Sequence, residues 1–136
     1  MSRARKFDLI ALKHTIALQA YRREASRLFE EIARLDARIA QIIELDLGYR
    51  EQLAIPDLHM TEYRDVLQIM NRLQQRREID VTRNEILSVE RNRLIQVLAE
   101  KKRQIEKLEE SAVEVRKEER REREDRAAAL VPARRS

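Results

Sequence analysis

The chain has 136 residues, 43% of them apolar and 40% charged, with one glycine, two prolines and neither cysteine nor tryptophan. A globular fold of this length needs turns, which Gly and Pro mostly supply, so there is room for two long helices and little else. Without cysteine, disulfides and thiolate metal sites are excluded, and 29 basic against 25 acidic residues, heavily interleaved, read as a self-paired surface rather than a nucleic-acid stripe.

At the N-terminus, Arg3, Arg5 and Lys6 precede an apolar stretch. Asp8, Lys13 and His14 interrupt that stretch and a helical register runs through it, so no cleaved leader is expected and residues 1 to 6 read as frayed. No apolar run nears the roughly 20 residues that span a bilayer. The localisation expected is cytoplasmic.

A first helix is predicted over about residues 7–53, roughly 70 Å at 1.5 Å per residue. Its apolar positions step by four and three: Phe7, Ala11, His14, Leu18, Tyr21, Ala25, Leu28, Ile32, Leu35, Ile39, Ile42, Asp46, Tyr49 and Leu53. That period of 3.5 marks the seam of a coiled coil. Of these 14 positions only His14 and Asp46 are polar. Asp46 would be costly buried alone, and a partner such as Arg64 across the turn would fix register. Glu30 and Arg34, four apart with the acid first, support the helix on its solvent face.

The first third of this helix carries a second stripe. Leu9, Leu12 and Ile16 lie roughly 140° to 200° around from Phe7. A two-helix hairpin has no use for it. The stripe is a third helical layer, scattered surface apolars or a docking face for another protein. A basic amphipathic stretch over residues 3–23 also allows contact with a membrane surface. Further along, Gly48 either loosens the helix before the turn or clears space beside Tyr49.

Pro56 ends the first helix, and the connection is predicted over about residues 54–60. Asp57 or Thr61 caps a second helix of about residues 61–126, with Glu62 in its first turn. Tyr63, Val66, Leu67, Ile69, Met70 and Leu73 form its first stripe. Ile79, Ile86, Leu87 and Val89 follow after an apparent slip near Arg76 to Arg83, which reads as a stutter. Leu94, Leu98, Lys101, Ile105, Leu108, Ala112 and Val115 then resume the four-three step. Folding about Pro56 at equal rise sets Phe7 near Ile105 and leaves a charged overhang over residues 114–126, supported by Glu119 with Arg123 and Glu122 with Arg126. Residues 127–136 read as a mobile tail. The fold class expected is all-α, one elongated antiparallel two-helix coiled-coil hairpin with a charged C-terminal helical overhang.

Catalytic chemistry finds no support in this pattern. One glycine cannot build a phosphate loop or a nucleophile elbow. His14 reads as a seam filler and His59 as a turn residue, and carboxylate pairs on a solvated helix are background. No enzyme, cofactor or metal is expected. Lys101, Lys102, Arg103 and Lys107, and the pair Arg76 and Arg77, are basic clusters, but acids surround the first and no aromatics interleave.

Tyr49-Arg50-x-x-Leu53 before the turn, the two unequal helices, the overall length and the run Arg116-Lys117-Glu118-Glu119-Arg120-Arg121-Glu122 together resemble the FliJ family. These are the stalk proteins of the bacterial flagellar export apparatus, related to the YscO-type stalks of type III secretion. The connection is shorter here than in many members, and aromatic content after the turn is thin. The resemblance implies a fold similar to the coiled coil of the rotary ATP synthase gamma subunit. It implies a terminal end in the central hole of an export ATPase hexamer, and a second contact with a membrane export gate protein, with export chaperones as further partners. The site would be peripheral to the inner membrane at the flagellar base. Positions matching the gate contact are Ile42, Leu45, Tyr49, Ile69 and Leu73, of which Leu45 is not needed by the seam. The ring contact would fall on Phe7, Leu9, Leu12, Lys13 and Ile16. The alternatives are a coiled-coil scaffold or adaptor with unrelated partners and a basic helical nucleic-acid binder. A domain-swapped dimer would use the same seams.

Overall fold

A seam that returns every 3.5 residues along both halves of the chain can be buried by folding one half onto the other. The computed structural model, which describes residues 3–131, shows that solution. Helix α1 spans Arg3–Leu53 and helix α2 spans Met60–Leu130, and they pack against each other as an all-α helical hairpin. All fourteen seam positions of α1 are buried or half-buried, with Ala11, Leu18, Ala25, Ile32, Leu35 and Ile42 the most enclosed. Ala4, one heptad before Ala11, extends the same stripe, so α1 begins four residues earlier than Phe7.

The seam of α2 is continuous. From Val66 it runs through Met70, Leu73, Arg77, Asp80, Asn84, Leu87, Arg91 and Leu94 to Leu98, Lys101, Ile105, Leu108, Ala112, Val115 and Glu119. All but Arg77 are buried or half-buried. The stutter expected near Arg76 to Arg83 is therefore absent. Polar residues occupy the seam there, while Ile79, Ile86 and Val89, whose spacing suggested a slip, are 58%, 64% and 71% exposed on the outer side.

At the turn, the Ala54 and Ile55 amides still bond back to Arg50, Glu51 and Gln52 carbonyls, and Pro56 then prevents continuation. Asp57 adopts a left-handed conformation, φ 66°, which Asp tolerates better than most residues. The cap of α2 is neither Asp57 nor Thr61 but His59. Its carbonyl accepts from the Tyr63 amide at 2.9 Å, and its ring Nδ1 accepts from the Thr61 amide at 3.4 Å. Asp46 pairs with Arg50 one turn along its own helix, Nε to Oδ2 2.9 Å, and not with Arg64. Its carboxylate is 23% exposed, so it escapes the burial that a cross-turn partner would have relieved. Nothing lies within 4 Å of a side chain added at Gly48, so that glycine clears no space.

The contacts gather into two compact units, one of α1 up to Arg23 with α2 from Gln96 onward, the other of residues Glu24–Ile95. In the first, Arg3 ion-pairs with Glu118 and Glu122 at 3.8 Å, and Asp8 pairs with Arg116. Equal rise about Pro56 would instead put Arg3 opposite about residue 110. The partners on α2 thus lie further along the chain than expected, and α1 reaches Arg116, Glu118, Glu119 and Glu122 within residues 114–122. From Arg120 onward every described residue is exposed. Beyond it Glu122 and Arg126 pair at 3.9 Å as expected, whereas Arg123 donates to the Glu119 backbone carbonyl. Ala127 to Leu130, expected in the tail, continue the helix, and residues 1–2 and 132–136 lie outside the described residues.

Candidate functional site

Among the described residues, three groups of exposed apolar side chains lie outside the seam at positions that bear on docking. The first lies on α1 near its N-terminus. Leu9, Leu12 and Ile16 are 44%, 54% and 61% exposed, and Ile10 joins them. With Lys6 and Lys13 they line a shallow hollow of about 450 Å³. Phe7, expected among them, is half-buried in the seam and belongs to packing. Ile10 and Lys6 were not singled out by the 3.5 period because they fall between the two stripes. Their position is set by Ala4, Ala11 and Leu18, which turn the opposite side of α1 inward.

The second group flanks the turn and by helical angle lies on both sides of the seam, with Leu45 and Ile69 on one side. Leu45 is 48% exposed, and Ile43, Leu47, Leu67 and Ile69 are also exposed. Of the positions matched to a gate contact, Ile42 is buried in the seam and Tyr49 and Leu73 are half-buried. Ile42 is therefore unavailable to a partner while the hairpin is closed. Leu45 and Ile69 carry what remains of that set.

The third is the outer stripe of α2. Ile79, Thr82 and Ile86, with Gln75, Glu78, Arg83 and Leu87, line a hollow of about 730 Å³. Glu78, Glu85 and Glu90 accompany it along the sequence. Periodicity alone assigned these isoleucines to the seam, and only the polar seam beneath them explains why they face out.

That polar seam is the electrostatic centre of the second unit. Asp80 has no exposed surface. Arg38 grips it with two hydrogen bonds, Nε to Oδ2 at 2.7 Å and Nη2 to Oδ1 at 2.8 Å, and Arg76 approaches at 3.4 Å. A planar guanidinium matches a carboxylate in this bidentate way, which fixes direction as well as distance. The bond to Asp80 raises the Arg38 pKa above its ordinary value. Around it Arg83 pairs with Glu31, Asn84 donates to Asp36 at 2.6 Å, and the Arg91 guanidinium lies 5.9 Å from the Phe29 ring centroid.

His14 belongs to the first unit and His59 to the second. Among the described residues no group of three or more His, Asp or Glu side chains is placed to hold a metal, and no helix is long and apolar enough to cross a membrane. The hollows at the exposed apolar side chains among the described residues are open ones on the helix surfaces. Fold and surfaces together define an all-α helical hairpin with outward apolar faces. Compared with protein-family models, curated proteins and solved structures, the chain matches none of them.

Proposed function

We propose that the chain is a FliJ-like stalk and escort protein of bacterial flagellar or related type III export, coupling an export ATPase ring to a membrane export gate. The observation that supports this reading most is the presence of two separate outward apolar surfaces on one helical hairpin. One lies on the first turns of α1, at Leu9, Leu12 and Ile16, and the other beside the turn, at Leu45 and Ile69. A protein that couples two partners without chemistry of its own needs two docking faces and a stiff connection between the helices that carry them. In this reading Leu9, Leu12, Lys13 and Ile16 meet the inner surface of the ring, and Leu45 with Ile69 meets the gate protein. The chain works in the cytoplasm, peripheral to the inner membrane.

The test is a pull-down and ATPase assay with the export ATPase of the same organism. The full chain is expected to bind and to stimulate hydrolysis. Leu9→Glu with Ile16→Glu is expected to abolish stimulation while helicity by circular dichroism is unchanged, since both residues are outside the seam. Leu45→Glu is expected to weaken binding to the gate protein and leave ATPase stimulation intact. A wild-type chain that neither binds nor stimulates would overturn the stalk reading.

A further inference from the structure

We propose that the outward face of α1 between Arg3 and Arg23 docks onto an anionic lipid bilayer. The proposal goes beyond the stalk reading and does not rest on it. It starts from where the net charge of the protein sits. Residues 3–23 carry six basic side chains and one carboxylate. By contrast, residues 96–131 hold ten of each sign, and residues 24–95 hold eleven basic against fourteen acidic. The excess of positive charge among the described residues is therefore confined to the first turns of α1.

The single carboxylate there is also turned away. Asp8 pairs with Arg116 of α2, so the opposite side of the helix presents no acid. That side holds the exposed Leu9, Ile10, Leu12 and Ile16 with Lys6 and Lys13 lining the same hollow. By helical angle Arg23 shares this half of the helix. Apolar side chains edged by long cations, without acids, are the pattern of a helix lying in a membrane interface. Lysine stems can lie along the acyl boundary while their ammonium groups reach lipid phosphates.

The same face that the stalk reading gives to a protein ring has a composition that also suits lipid. Protein interfaces are enriched in aromatic residues and arginine and depleted in lysine. Here the exposed apolar groups are all aliphatic, the nearby Phe7 is half-buried in the seam, and lysines line the hollow. The outer stripe of α2 is a built-in contrast. Ile79, Ile86 and Val89 are more exposed than Leu9, yet Glu78, Glu85 and Glu90 stand along them in a unit of net negative charge. With Glu78 and Arg83 both lining its hollow, that stripe offers an anionic surface no excess of cations. One short face with no lipid chain attached gives reversible, salt-sensitive binding. Leu9 and Ile16 cannot occupy a bilayer and a protein ring at once, so the two occupants would exclude each other.

The experiment is co-sedimentation of the full chain with vesicles of phosphatidylcholine alone and of phosphatidylcholine with about one third phosphatidylglycerol. Wild type is expected on the anionic vesicles only, with release at about 1 M salt, where screening acts over about 3 Å. Lys6→Glu with Lys13→Glu, both fully on the surface, is expected to lower partitioning about 30-fold or more. Leu9→Glu with Ile16→Glu is expected to do the same, and Ile79→Glu with Ile86→Glu to leave binding unchanged, each with wild-type helicity. No sedimentation with anionic vesicles, equal sedimentation with neutral ones, or equal loss from the Ile79 and Ile86 pair would overturn the proposal.

Discussion

The two units of the hairpin bury opposite things. In the first, α1 contributes Ala4, Ala11 and Leu18 and α2 contributes Ile105 and Ala112, all at least nine-tenths enclosed. In the second, Ile32, Leu35 and Ile42 of α1 share the interior with an α2 seam that carries Asp80, Asn84 and Arg91. The first unit hides neutral groups and displays an unbalanced, cationic face. The second hides a charge and displays a surface on which acids are in slight excess. Apolar seams attract at any register that aligns their stripes, whereas a bidentate pair such as Arg38 with Asp80 accepts one. Specificity of pairing is thus concentrated in the second unit.

Substitutions can break this comparison. The largest effect belongs to Leu94, which has no exposed surface in the second unit. Leu94→Ala should cost about 2–5 kcal/mol of unfolding free energy in denaturant titration, by loss of buried area and a residual cavity. In the first unit, Ala112 is 1% exposed, and Ala112→Leu should cost about 1–3 kcal/mol by overpacking a close approach of the helices. Asp80→Leu should behave differently. Replacing a buried charge by an apolar group of similar size is often neutral or stabilising, and Arg38 and Arg76, roughly half exposed, can turn to water. Stability within about 1 kcal/mol of wild type or above it, with more than one register in cross-linking, is the expected outcome. A loss of more than about 2 kcal/mol would show that the pair stabilises as well as specifies.

Smaller effects sharpen the picture. Gly48→Ala should stabilise by about 1 kcal/mol, because the site is helical and the added methyl meets nothing. Acid should act weakly at Glu90. The Arg93 guanidinium, hydrogen-bonded at 2.6 Å, holds its carboxyl below the ordinary value. A depressed folded value means that its contribution is full above the ordinary carboxylate range and fades as pH falls through the lowered value. A side-chain NMR titration of Glu90 should show that midpoint, and Arg93→Ala should move it upward.

The seam of α1 was legible because its 14 positions are nearly all apolar and the structure encloses every one. Continuity of the α2 seam was not. There the apolar residues Ile79, Ile86 and Val89 point outward and Arg77, Asp80, Asn84 and Arg91 keep the register, so hydrophobic spacing follows the wrong face. Helix ends were missed for a related reason. Arg3 is held by Glu118 and Glu122, contacts remote in sequence that no local pattern reveals. Capping by His59 escaped because a ring nitrogen served where Asp or Thr is the usual choice. Of the surfaces, Leu9, Leu12, Ile16 and Leu45 were legible as apolar residues that the seam does not require. Ile42, shared with the seam, was not separable from it until burial was known.

In the proposed function the first turns of α1 present a working face and the outer stripe of α2 does not. The most direct test is export ATPase stimulation by wild type, by Leu9→Glu with Ile16→Glu, and by Ile79→Glu with Ile86→Glu, measured side by side. Stimulation by wild type that survives the Ile79 and Ile86 pair and disappears with the Leu9 and Ile16 pair is the predicted result. Stimulation that survives at Leu9 and Ile16 but disappears at Ile79 and Ile86 would contradict the claim and move the working face to α2.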